Sequence, residues 1–148
     1  KGMTVHGFPN LFLMVGPNSG LGHSSIVFVI ESQIAYVLDA LDTMAKHHIG
    51  VLDVTREAQE KWTATIDERS ASTVWTGGGC QSYYLDSAGR NVALWPGWSW
   101  GYRRRTRRFD PDAYRAEPAR TEPMGEPEKQ RPLDEARPAP IGARATVP

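Results

Sequence analysis

The glycine turn Gly16-Pro17-Asn18-Ser19-Gly20-Leu21-Gly22-His23-Ser24-Ser25 constrains this chain more than any other stretch. The apolar run Leu11-Phe12-Leu13-Met14-Val15 leads into it, and an amphipathic stretch from about Ile26 to Ala45 leaves it. That order predicts a buried strand, a tight turn and a helix start. Such a junction collects backbone N–H groups at the positive end of a helix dipole, where an anion or an electron-rich ring edge binds well. Glycines let the backbone approach a ligand with no Cβ in the way. The same pattern also describes a strand-to-helix turn that holds nothing, and local sequence leaves both readings open.

Leu11 to Val15 is apolar on both sides, as a central strand of a parallel sheet would be. Its neighbours are then expected outside this sequence. Ile26, Ile30, Ile34, Val37, Leu38, Leu41 and Met44 recur at helical spacing and define a long helix with that stripe toward the core. Ser24 or Ser25 can cap its start, and Gly50 is expected to stop it. Lys46, His47 and His48 suit a helix end; a metal site is the weaker reading, since no third ligand stands at a useful spacing. Val51 to Val54 is a short extended piece. Thr55 caps a second helix running to Arg69, with Ala58, Trp62 and Ile66 inward. Thr73-Val74-Trp75, Gln81 to Leu85 and Val92 to Trp95 are expected to form an aromatic β-hairpin, with turn residues between them.

Composition bounds the rest. The chain has 148 residues and no formal net charge, with one cysteine, Cys80. No internal disulfide is possible, which fits a reducing, cytoplasmic compartment, and a buried inert thiol is its simplest role. No apolar stretch has the length of a membrane-spanning helix. Residues 1–109 are expected to be ordered. Residues 110–148 hold eight of the eleven prolines and few large apolar side chains, and are expected to be a disordered tail. The block Arg103 to Arg108 beside Trp98, Trp100 and Tyr102 allows a nucleic-acid-binding module as a second reading. A solvated edge strand or an ion-pair surface for a neighbour explains the block more simply.

Motif chemistry excludes more than it assigns. No Gly-Lys-Ser/Thr follows the glycines, so this is no P-loop. Ser19 lacks the glycine two residues before it that a nucleophile elbow needs. Gly20-x-Gly22-x-x-Ser25 is a degenerate dinucleotide fingerprint whose third glycine is Ser25.

Separated motifs in consistent order are more specific. Gly7-Phe8-Pro9-Asn10-Leu11-Phe12, Gly16 to His23, Ile30-Glu31-Ser32-Gln33, Thr73-Val74-Trp75, Gly79-Cys80, Ser82-Tyr83-Tyr84, Gly89-Arg90-Asn91, Leu94-Trp95-Pro96-Gly97 and Tyr102-Arg103 resemble the C-terminal region of flavin-containing monooxygenases of the Baeyer–Villiger type, such as 4-hydroxyacetophenone and cyclohexanone monooxygenases. The likeness covers about Gly2 to Tyr114, and Tyr83 stands where the family usually has Trp.

The resemblance implies an α/β fold: the last piece of a flavoprotein with two dinucleotide-binding domains. Its FAD and NADPH fingerprints, its Phe-x-Gly-x-x-x-His-x-x-x-Trp-Pro signature and its catalytic arginine have no match here. FAD and NADPH would be bound mainly by missing N-terminal domains, and this segment would hold no catalytic residue and no metal. The start at Lys1 is accordingly expected to be a cut edge. The implied activity inserts one oxygen atom from O2 into a ketone or similar small organic substrate through a peroxyflavin, with the segment inactive alone. No membrane or nucleic-acid partner is implied. By the same resemblance Gly16, Pro17, Asn18, Ser24, Ser25 and Ile26 would lie along the flavin. Leu21, Gly22, His23, Tyr83 and Trp95 would face the substrate, with Tyr84 beside them. Helix capping is the plainer role for His23, and core packing the plainer role for the aromatics.

Overall fold

The computed structural model describes residues 1–77 and 82–120. Cys80, the glycines at 78 and 79, Gln81 and most of the expected tail lie outside them. Helix α1 spans Ile26–His47, strand β1 Ile49–Val54 and helix α2 Arg56–Ser70. A single helical turn, α3, covers Val74–Gly77, helix α4 covers Ser99–Thr106, and a 3-10 turn at Pro111–Ala113 leads into β2, Tyr114–Pro118.

The two long helices form where their periodicity places them. Thr55 caps α2 by accepting from the Ala58 backbone N–H at 3.2 Å, and Ile66 is its buried anchor. Helix α1 ends on His48, whose φ of 53° is left-handed, so His48 and not Gly50 is its stop. Gly50 lies within β1. A Cβ there would sit 2.6 Å from the Ala119 Cα, so glycine is what lets the end of β2 close over it.

The buried stripe of α1 differs from the expected one. Val29, Gln33, Tyr36 and Ala40 face the core, while Ile26, Ile34, Leu38 and Leu41 are exposed. The helix is apolar on two sides, and the described residues cover one.

Leu11 to Val15 forms no strand. Its backbone is drawn into loops: Leu13 N–H donates to Met3 O at 2.7 Å, and Val15 N–H donates to the Gln33 side chain at 2.8 Å. Asn10 and Val15 both have left-handed φ, 59° and 52°, which breaks any extended run. Sheet pairing is made elsewhere. Strands β1 and β2 pair antiparallel, Val54 with Tyr114 and Leu52 with Ala116. The partner of β1 therefore comes from residues expected to be disordered, and the ordered part continues past 109.

Among the described residues the aromatic hairpin is also largely absent; Gln81 of its second strand lies outside them. Thr73-Val74-Trp75 leads into the α3 turn, and one antiparallel bridge, Leu85 to Asn91, closes the loop around Asp86–Arg90. The Asp86 carboxylate accepts from the backbone N–H groups of Ala88 and Arg90, and these local bonds replace a strand ladder. The arginine block is the end of helix α4 and not an edge strand.

Two apolar clusters hold these elements. Met3, Tyr36, Ala40, Leu52 and Phe109 form one, with Phe12, Met44, Ile49 and Tyr114 against it. Val29, Ile66, Trp95 and Tyr102 form the other, with Leu21 and Trp62 alongside. Truncation after Phe109 removes Tyr114 and the only partner of β1 among the described residues, and large apolar deletions from a core cost about 2–5 kcal/mol. Circular dichroism and thermal melting of the chain ended at Phe109 should show a large loss of stability against the same chain ended at Arg120.

Candidate functional site

The turn Gly16–Gly22 is braced on two sides. Asn18, with a left-handed φ of 57°, donates its backbone N–H to Val92 O at 3.2 Å and its Nδ2 to Asn91 O at 2.7 Å. Gly20 and Leu94 form a parallel bridge: Gly20 N–H donates to Ala93 O at 2.9 Å, and Trp95 N–H donates to Gly20 O at 2.8 Å. Asn91 fixes that second loop. Its Nδ2 donates to Leu94 O and Ser70 Oγ, and its Oδ1 accepts from Leu94 N–H. The backbones here are packed too closely for side chains. A Cβ on Gly16 would fall 2.4 Å from Gly2 O, and one on Gly20 would fall 2.9 Å from Ala93 O.

Gln33 is the brace from the helix side. It is fully buried; its Oε1 accepts from Val15 N–H, and its Nε2 donates to the Tyr102 hydroxyl at 2.9 Å. Tyr102 in turn donates to Lys1 O at 3.1 Å. Burial pushes the Tyr102 hydroxyl up to about 12, against the opposing pull of the Gln33 donor. Burial, then the neighbouring Tyr114, also pushes Tyr36 up.

Beyond the braced part, the helix start is open. Ser24, Ser25 and Ile26 are exposed. Ser25 is the N-cap, makes no side-chain capping bond, and no acidic residue stands in the first turn of α1. The first N–H groups of the helix and its positive dipole end are therefore uncompensated by side chains. That arrangement can accept an anion or an electron-rich ring edge.

The residues expected to face substrate separate into two groups. Gly22 points at Trp75: a Cβ would lie 2.8 Å from its Cζ2 atom. Trp75 packs edge-on against Tyr84, which contacts Tyr83, and Tyr83 is 85% exposed. His23 meets Trp98 edge-on, with ring centroids 5.8 Å apart, and Trp98 is 68% exposed. Leu21 and Trp95 instead belong to the core. Trp95 is 3% exposed, stacks on Trp62 at 5.6 Å, and donates Nε1 to Trp98 O. Packing is thus the role the structure gives Trp95. Gln33, Asn91 and Trp75 brace or flank the turn without having been expected there, and Trp98 was expected only beside the arginine block. A signal existed for the first three, since each lies inside a motif of the family resemblance.

A cavity of about 520 Å³ lies elsewhere, lined by residues that include Tyr36, Trp62, Arg105 and Tyr114. None of residues 16–26 lines it. The geometry that matches the motif is the open face at the start of α1, and the cavity is a gap between the 3-10 turn and α2. Among the described residues, no helix is long and apolar enough to cross a membrane and no group of three potential metal ligands converges.

A braced glycine turn, an open helix start and exposed aromatics stand together in a mixed α/β segment. No known family profile matches the chain. A Baeyer–Villiger monooxygenase of Pseudomonas aeruginosa is 50% identical over 115 residues, covering 77% of this chain and 22% of that protein. One from Streptomyces coelicolor is 44% identical over 113 residues, covering 74% and 21%. Among solved structures, cyclohexanone monooxygenase from Rhodococcus sp. Phi1 bound to NADP+ matches with a TM-score of 0.66 at 23% identity, over 80% of this chain and 23% of that one. Oxidized steroid monooxygenase bound to NADP matches with a TM-score of 0.58 at 26% identity, over 71% and 20%. The chain is a segment homologous to Baeyer–Villiger monooxygenases, corresponding to their C-terminal part. It spans about a fifth of the length of the curated relatives it matches.

Two outcomes test the bracing. Gln33→Leu removes the acceptor of the half-buried Val15 N–H and the donor to the buried Tyr102 hydroxyl, so stability should fall by about 1–3 kcal/mol in chemical denaturation. The buried tyrosines set an alkaline limit. Tyr102 has an ordinary value of 10.0, raised to about 12 in the fold, so its contribution is intact below pH 10 and is lost as pH rises through about 12. The melting temperature should drop across that window, and Tyr102→Phe should flatten part of the drop. Tyr36 and Tyr114, raised in the same direction, keep the remainder.

Proposed function

We propose that this chain is the C-terminal segment of an FAD- and NADPH-dependent monooxygenase that inserts one oxygen atom from O2 into a ketone or similar small organic substrate, and that it is inactive alone. The observation that carries the reading is the 50% identity to a Baeyer–Villiger monooxygenase over 115 residues. The uncovered apolar stripe of α1, Ile34, Leu38 and Leu41, supports it, because a surface of that kind belongs against another part of a protein. Missing N-terminal FAD and NADP domains would cover it. Cytoplasmic location belongs to the same reading, on the single cysteine. None of these likenesses favours the nucleic-acid alternative.

When bound, the flavin supplies the oxygen chemistry. The residues of this chain position it. The exposed N–H groups at Ser24, Ser25 and Ile26 would stabilise negative charge on the ring edge, with Gly16, Pro17 and Asn18 along the same turn. The bonds from Asn18 and Gly20 to the 92–93 backbone hold that turn rigid, so the helix start would keep its aim during turnover. Gly22, His23 and Tyr83 are proposed to face the substrate, with Trp75 and Trp98 as walls. Leu21 and Trp95 would support that face from the core.

Gly22→Val in the complete enzyme tests the placement. Its backbone is not left-handed, so the substitution acts through the Trp75 contact: the new side chain must displace the indole. Flavin content and melting temperature should stay near wild type while NADPH-dependent product formation falls by about a hundredfold, the scale of a 1 Å misplacement. Unchanged product formation would remove Gly22 from the site. A complete enzyme that takes up no flavin in its wild-type form would overturn the functional reading itself.

A further inference from the structure

The groove between α1 and α4 carries a charge imbalance with no part in the flavoprotein reading. Ser32 and Ala35 of α1 and Thr106 of α4 line it together with Arg103, Arg104 and Arg107, around a cavity of about 340 Å³. Among the described residues no carboxylate lines it. Among the described residues, ion pairs join Lys1 to Asp110, His6 to Asp53, Lys46 to Asp42, Arg90 to Asp86 and Arg115 to Glu117; none takes one of these three arginines. On α1 the nearest acids by helical position are Glu31 and Asp39, and the Asp39 carboxylate accepts from Phe109 N–H at 2.7 Å.

The groove is also pre-arranged. The Arg103 guanidinium lies 4.9 Å from the centre of the Phe28 ring, which holds it over the aromatic face. Ser32 Oγ donates to Phe28 O and Thr106 Oγ to Tyr102 O. Both hydroxyl protons are therefore committed to backbone, and the guanidinium N–H groups are the donors left to a ligand. The dipole of α4 favours positive charge in its last turn. It does not account for three arginines lining one groove that has no acid among the described residues.

We propose that this groove is an oxyanion site that takes the phosphoryl group of a small ligand, with Arg103, Arg104 and Arg107 as its donors. Planar guanidinium forks match phosphoryl oxygens bidentately, and charge-assisted bonds of this kind are about twice as strong as neutral ones. The cavity exceeds a bare phosphate ion and falls at the low end of the roughly 300–1,000 Å³ of small-molecule sites. It suits a phosphoryl group on a compact body.

The probe is inorganic phosphate, titrated into the full 148-residue chain at constant ionic strength and followed by calorimetry and ³¹P line width, then repeated on the complete enzyme. The expected result is saturable one-to-one binding, weakened about tenfold or more in Arg103→Gln/Arg107→Gln and unchanged in Arg90→Gln, whose arginine is engaged with Asp86. Should the double variant lose helix content, Arg104→Gln alone is read in its place, with a loss of about threefold expected. Non-saturable binding, or equal binding by variant and wild type, overturns the site. Acetate is the second arm. Saturable acetate binding without phosphate binding would make the groove a seat for a carboxylate side chain and would overturn the phosphoryl assignment.

Discussion

The Gln33 carboxamide is the contact on which the rest of this structure leans. It is buried among apolar side chains, where an amide left without partners costs several kcal/mol. Its acceptor is spent on the Val15 backbone and its donor on Tyr102. One side chain therefore joins the loop before the glycine turn, the middle of α1 and the first turns of α4. Val15 is a β-branched residue at a left-handed φ, a conformation that persists only where its surroundings impose it. Gln33 is what imposes it here, so the path of the chain into the turn follows from a buried polar bond more than from apolar burial.

Asn91 does the same for the other side of the turn. Its amide carries the bonds of a short strand pair without the strands, and it delivers the 92–95 backbone to Asn18 and Gly20. The turn is clamped between two buried amides, and the start of α1 is left open beside it. Rigidity where the chain bends and exposure where the helix begins are what a cofactor-positioning loop requires.

The legible parts of the sequence were those governed by local periodicity and capping. Helix α2 follows from Thr55 and the spacing of Ala58, Trp62 and Ile66, and the extent of α1 follows from its apolar repeat. The face of α1 was not legible, because two apolar stripes share the helix and the repeat cannot say which one finds a partner. The run Leu11 to Val15 reads as a strand by composition, but Met3 O and the Gln33 side chain, distant in sequence, take its backbone N–H groups. Strand β2 was hidden for the complementary reason: a proline-rich, charged stretch becomes a strand only because β1 offers it a ladder. Of the candidate site, the turn and the helix start were readable as local structure from glycine spacing and the apolar repeat. Trp95 went to the core because its neighbours, Trp62 and Tyr102, are brought to it only by the fold.

The pairing of Val54 with Tyr114 has a kinetic meaning. A chain made from its N-terminus emerges with α1 and β1 long before β2 exists. Until Tyr114 to Pro118 arrive, β1 presents an unpaired edge, and the loop to be closed spans α2, both aromatic loops and α4. Closing a loop of that length costs entropy that is regained only when the last strand docks. Docking of Tyr114 to Pro118 is therefore the step that closes the fold around β1.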